Sequence, residues 1–167
     1  MPIFETDLKV MHSGGASNDL PSASLGGDIS AVEVSNSVHA VFGVISSQVA
    51  NAGSMEYRCV YIKNNHASLH WYNAVVWISS NTPSNKTEVQ IALGLSAVNG
   101  SETAVATATT APAVTFSTPS SQVDGLLLGD IPPLGWKAVW INRAVIAGAA
   151  AYTNDGATLQ FSGDTGS

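Results

Sequence analysis

The sequence is poor in charge, carries a single cysteine and contains no long apolar run. Only 6 basic and 12 acidic side chains occur among 167 residues, 11% of the chain, where soluble domains average about 25%. The surface must therefore be built mostly from Ser, Thr, Asn, Gly and Ala. With so few Lys and Arg and a net charge of -6, the chain cannot neutralise a row of phosphates, which argues against a nucleic-acid partner. Cys59 alone cannot close an internal disulfide, so the fold does not depend on oxidation. No apolar run approaches the roughly 18 residues that cross a bilayer, and Met1–Asp7 lack the basic flank and apolar stretch of a secretion signal. The expectation is a protein made in a reducing cytoplasm, with no membrane partner. An apolar content of 45% with little charge argues against disorder and suffices for one core.

Periodicity reads as strand nearly throughout. In Glu88–Leu95, Val89, Ile91, Leu93 and Leu95 share one face and Glu88, Gln90, Ala92 and Gly94 the other, the alternation of a half-buried antiparallel strand. Over 157–162, Leu159 and Phe161 point inward and Thr158, Gln160 and Ser162 outward, after an Asp155-Gly156 hairpin signal. Met55–Asn64 has bulk on both faces and, after a turn at 64–68, Leu69–Ser79 returns as its hairpin partner. A second such pair follows Gly125–Asp130, where Pro132-Pro133-Leu134-Gly135 makes a stiff turn before Trp136–Val145. Strands are expected at Leu8–His12, Ile29–Val34, 55–64, 69–79, 87–95, 113–117, 135–146 and 157–162. Helix is expected only as one short piece within Ser37–Ala52, weakened by β-branched residues and Gly43. About eight strands with turns between them predict an all-β fold, a single antiparallel β-sandwich of immunoglobulin-like or jelly-roll type. Residues 1–28 read as an N-terminal arm or long loop with one short strand, and 29–167 as the sandwich domain. Residues 99–112 read as a second loop with few anchoring side chains. Val-Trp-Ile at 76–78 and 139–141 marks two core strands rather than a repeat, because the flanks differ.

Residues that carry chemistry are sparse. His66 and His70 have the four-residue spacing of paired helical ligands, but they bracket a turn and a strand start, where that spacing does not bring them together. His12 and His39 have no acidic or thiol neighbour at ligand spacing. Cys59 alternates with Tyr57 and Tyr61 and reads as a small apolar filler. Asp124 and Asp130 form the nearest thing to an acid-base pair, yet Asp is equally expected in turns. The chain has neither a Gly-rich phosphate loop ending in Lys-Ser/Thr nor a Gly-x-Ser-x-Gly. No enzyme, metal or cofactor is expected. Of the four tryptophans, Trp77 and Trp140 lie between β-branched neighbours and read as core. Trp71 and Trp136, near strand starts, are the candidate exposed pair, able to form a sugar-binding platform if they are not core as well.

A charge-poor sandwich with small-residue loops is suited to lying against copies of itself or a scaffold, because few charges must be stripped of water. An N-terminal arm can order on a neighbour, making Ile3, Phe4, Leu20 and Leu25 candidate interface residues, with Gly100–Pro112 as a second contact region. The stretches Glu56–Asn64, Leu69–Ile78 and Asn81–Ser84, with Leu128–Arg143, resemble small virion proteins of tailed bacteriophages across roughly residues 55–145. The resemblance implies an immunoglobulin-like or jelly-roll domain mounted on the virus particle, and no ligand or catalytic residue. The expected function is decoration or cementing of the capsid surface, with the major capsid protein as partner and a homo-oligomer, a trimer favoured. Such a protein would be made in the bacterial host cytoplasm. Alternatives are a carbohydrate-binding accessory domain with a glycan partner, and a tail or baseplate component.

Overall fold

Two of the three longest strands, Ser54–Asn64 and Trp136–Val145, carry large side chains on both faces, so both faces must be covered. The computed structural model, which describes residues 2–166, meets this requirement with eight strands. They are β1 (Leu8–Ser13), β2 (Ile29–Glu33), β3 (Ser54–Asn64), β4 (Trp71–Ser80), β5 (Thr87–Leu93), β6 (Leu126–Ile131), β7 (Trp136–Val145) and β8 (Thr158–Thr165). One antiparallel sheet has the order β2-β1-β3-β7-β5 and the other β6-β4-β8. The antiparallel β-sandwich predicted by periodicity is the fold. Its backbone is the β3–β7 ladder, continuous from Ser54–Val145 to Lys63–Trp136.

The connections differ from the expected ones. Only β1 and β2 are neighbours both in sequence and in a sheet, and from β3 to β8 every successive strand changes sheet. Immunoglobulin pairing needs three in-sheet connections, A–B, D–E and F–G, so the crossing pattern is not the immunoglobulin one. The hairpins expected at 64–68, at Pro132–Gly135 and at Asp155-Gly156 are all arches between sheets. Asn64 explains the first two. Fully buried, it donates through Nδ2 to the carbonyls of Leu69 (2.8 Å), Ile131 (3.2 Å) and Pro132 (3.3 Å) and accepts the His66 N–H (3.1 Å). One amide thus ties both crossovers together. Asp155 accepts from the Ser84 N–H (3.1 Å) and the Thr87 hydroxyl, fastening its loop to the start of β5 rather than folding a hairpin. The expected strand at 113–117 is reduced to one bridge, Ser117 to Ile91, and the Leu-rich 126–131 stretch is the strand β6. Among the described residues the one α-helix, α1 (Ser47–Ala52), falls within 37–52 and is capped by the Ser46 hydroxyl, which accepts from the Val49 N–H.

Between the sheets lies one core, with Val60, Ile62, Val139, Ile141, Val89 and Ile91 facing β4, β6 and β8. The five-stranded sheet is wider than its partner, and Val34, Ala40, Val41 and Phe42 pack where strands are lacking. A second cluster, Met11, Tyr57, Cys59, Tyr61, Ala92 and Trp140, with Ala138, lies on the outer face of the same sheet, beneath Val105, Val114 and Phe116. Residues 14–28 and 99–117 therefore form a third layer instead of free loops. Both segments are hydrogen-bonded to the sheet and to each other: the Cys59 N–H donates to Ser24 O, Tyr57 N–H to Ala108 O, Gly27 N–H to Glu102 O and Val105 N–H to Leu25 O. Gly26, at φ +98°, allows the closest approach, since a Cβ there would sit 2.6 Å from the Thr103 carbonyl oxygen. β1 is inserted between β2 and β3, so residues 8–28 are an integral part of the sandwich.

The Tyr61 hydroxyl is the central pin of this layer: it donates to Gly27 O (2.5 Å) and accepts the Glu102 N–H (2.8 Å). Tyr61→Phe leaves the buried Glu102 N–H and the part-buried Gly27 carbonyl without this partner, at a cost of about 1–3 kcal/mol. Urea unfolding should show that loss, with the amides of 99–117 exchanging faster than in the unsubstituted protein.

Candidate functional site

Trp71 is not exposed. At 2% exposure it belongs to the inter-sheet core with Ala74, Val76 and Ile78. The parity changes because the β4 register shifts between Trp71 and Ala74, where Asn73 has φ +50°. The Asn73 N–H donates to Asp130 Oδ1 and its Nδ2 to Asp164 Oδ2, each at 3.0 Å. Gly163 on β8 leaves room for the indole, which any Cβ would overlap. Trp136 is half-buried beneath the 99–100 turn, its Nε1 donating to Gly100 O (3.1 Å). The two tryptophans therefore form no open platform, while Trp77 and Trp140 are buried as expected.

The four candidate interface residues divide evenly. Ile3 packs on the main core and Leu25 is half-buried in the third layer. Phe4 and Leu20 are exposed, at 55% and 58%. Residues 99–112, read as poorly anchored, are held by backbone bonds and by Glu102, an anchor that one isolated acid in a small-residue loop did not announce. Buried Glu102 accepts the N–H groups of Leu95 (3.1 Å) and Ser96 (2.9 Å). Burial pushes its carboxyl up, but those amides outweigh burial and hold it below the ordinary glutamate value.

Most of the titratable residues noted in the sequence are engaged structurally. His66 Nδ1 accepts the N–H groups of Ser68 and Leu69, whereas the His70 ring stacks on Tyr72 at 5.4 Å. His12 is paired with the Ser24 hydroxyl, and burial lowers its pKa despite Asp19. Asp124 accepts the Ser120 and Ser121 N–H groups and closes a turn. Burial pushes the Cys59 thiol up to about 12. Both arginines converge on one acid: Arg58 lies 3.5 Å from Glu56 Oε1 and Arg143 pairs with Oε2. Phe42 covers both guanidinium groups, 5.3 and 4.9 Å from its ring centroid, while Arg143 holds Gly43 O. This cluster fastens the 34–46 segment to the sheet, beside a cleft of about 280 Å³ that also touches Ser22, His39 and Val44. Among the described residues, no group of three or more His, Cys, Asp or Glu is placed to hold a metal ion.

The feature left without an internal purpose is one end of the sandwich. Residues 35–55 and 144–154 contain no Asp, Glu, Lys or Arg. The ladder places the start of β3 beside the end of β7, and the Ala149 N–H donates to Ala50 O (2.9 Å), so the two charge-free segments meet. They display Val38 (80% exposed), Val44 (74%), Met55 (56%), Ile146 (55%) and Tyr152 (55%). In the sequence this end is inconspicuous, because 37–52 reads as a short helix and 147–154 falls between expected strands. The absence of charge from both segments was the available signal.

No family model, curated protein or solved structure matches this chain.

Trp71→Ala should cost about 3–5 kcal/mol in chemical unfolding, with Trp136→Ala costing less because its ring is only half-buried. A carboxyl whose folded pKa is lowered stabilises the fold above its unfolded value of about 4.3, and that contribution is lost as pH falls through the folded value. Stability measured from neutral to acid pH should therefore fall less steeply below that point in Glu102→Gln.

Proposed function

We propose that this chain is a structural, non-enzymatic protein of a tailed-bacteriophage particle that decorates or cements the capsid through contacts with the major capsid protein. The observation that carries the reading is the pair of charge-free segments, 35–55 and 144–154, bearing the exposed Val38, Val44, Met55, Ile146 and Tyr152 beside Lys86 and Glu88 of the β5 start. Exposed apolar side chains gathered on charge-poor segments mark protein–protein contact surfaces, and segments without charges can be covered at little desolvation cost. The three-layered sandwich supports such a role because its loops are fastened at many points and offer the partner a preformed surface. Phe4 and Leu20 are available for further contact, whereas Ile3 and Leu25 are engaged within the chain. The carbohydrate-binding alternative loses its platform with the burial of Trp71.

Quantitative mass spectrometry of purified particles tests placement. A copy number in the hundreds, against the shell protein, supports capsid decoration, and a few tens or fewer moves the protein to a vertex, the tail or the baseplate. The pair Val44→Asp and Ile146→Asp tests the surface itself. Both positions are exposed, so the melting temperature should hardly change, while occupancy on the particle should drop at least tenfold. Unchanged occupancy would show that this end is not the docking surface.

A further inference from the structure

A sheet edge presents unpaired N–H and C=O groups, and natural proteins blunt such edges with short strands, bulges, Pro, Lys or covering segments. Three of the four edges here are blunted. Along β5, Val89 N–H and O are taken by the Asn81 side chain, Ile91 N–H and O by Ser117, and Thr87 O by the Thr82 hydroxyl. β2 has only five residues, and its Ala31 N–H is given to Ala16 O. β6 has six and is interrupted by Gly129 at φ +86°. β8 differs: it has eight residues, Thr-Leu-Gln-Phe-Ser-Gly-Asp-Thr, with no Pro, Lys or Arg. Its register shifts against β4 are extra residues on β4, leaving β8 itself regular. Among the described residues its backbone has no strand partner besides β4. Leu159 and Phe161, directed at the core, are only half-buried at this margin.

We propose that the open edge of β8 pairs antiparallel with β8 of a second copy of this chain, joining two three-stranded sheets into one of six strands. The pairing is self-complementary. Opposed residues must share a face, so a two-fold axis has to pass through a residue rather than between two. With the axis at Phe161, the two Phe161 rings oppose each other, Leu159 faces Gly163, Gln160 faces Ser162 and Thr158 faces Asp164. Asp164, the only charged side chain of the strand, then avoids its own copy. The neighbouring choice, an axis at Ser162, would set Phe161 against Gly163 and forfeit the aromatic cross-strand pair. The pairing is independent of where the protein is used.

Sedimentation equilibrium of the full chain should give twice the chain mass, dissociating on dilution. The double substitution Gln160→Lys with Ser162→Lys places like charges opposite each other twice in the Phe161 register and should yield monomer. Gln160→Glu with Ser162→Lys places opposite charges there and should restore the dimer. On β4 these positions face Trp77 and Val75, so neither pair creates a charge conflict within the fold. A monomer or a trimer for the unsubstituted chain, or a dimer indifferent to the two lysines, would overturn the proposal. Amide exchange of 158–165 in the unsubstituted protein gives an independent reading should a variant fail to fold. Slower exchange at high concentration is expected, and concentration-independent exchange would contradict the pairing.

Discussion

Everything in this fold depends on two adjacent strands that have no solvent side. β3 and β7 pair over ten positions, and both of their faces carry apolar side chains: Val60, Ile62, Val139 and Ile141 on one, Tyr57, Cys59, Tyr61 and Trp140 on the other. A two-layer sandwich buries only the first set. Leaving Trp140 and Tyr61 in water would forfeit roughly 25 cal/mol for every Å² of apolar surface they bury, so the chain supplies a further layer from segments that lack regular secondary structure.

Irregular segments can cover a sheet only if their backbone polar groups find partners. The fold solves this with a few polar side chains placed where layers meet. Tyr61 joins the sheet to both covering segments, Glu102 gathers the amides that follow β5, and Asn64 gathers the carbonyls of two arches. The Arg58–Glu56–Arg143 group does the same for the 34–46 segment. A chain with so few charges has placed both of its arginines in this structural role, at the end of the molecule where segments 35–55 and 144–154 carry no charge of their own. That end is the surface on which the proposed function rests.

Strand positions were legible because period-two alternation is a local property. β3, β7 and β8 appear in the sequence within a residue or two at most of their ends, β8 apart from its last three residues. Connectivity was not legible, because a turn between two strands looks alike whether it closes a hairpin or crosses between sheets. The partners that decide it for Asn64, the carbonyls of Ile131 and Pro132, lie 67 and 68 residues away. The face of Trp71 is not legible for a related reason: a single extra residue at Asn73 exchanges the two faces of β4, and nothing in the local pattern marks it. The alternation in 88–95 read as half-buried, yet Ala92 is fully buried and Leu95, beyond the strand end, is 73% exposed. Small residues on an apparently outer face are the trace of a covering layer, as Ala92 and Ala138 show.

The third layer is the claim on which this account stands, and Cys59 reports on it directly, being the only thiol in the chain. It sits on the outer face of the five-stranded sheet, fully buried, with its N–H held by Ser24 O. If residues 14–28 and 99–117 are packed as described, a thiol reagent added to the native protein should label Cys59 only at the rate of unfolding, and rapidly once denaturant is present. Rapid stoichiometric labelling of the folded protein would contradict the account, since it would mean that the covering segments stand open.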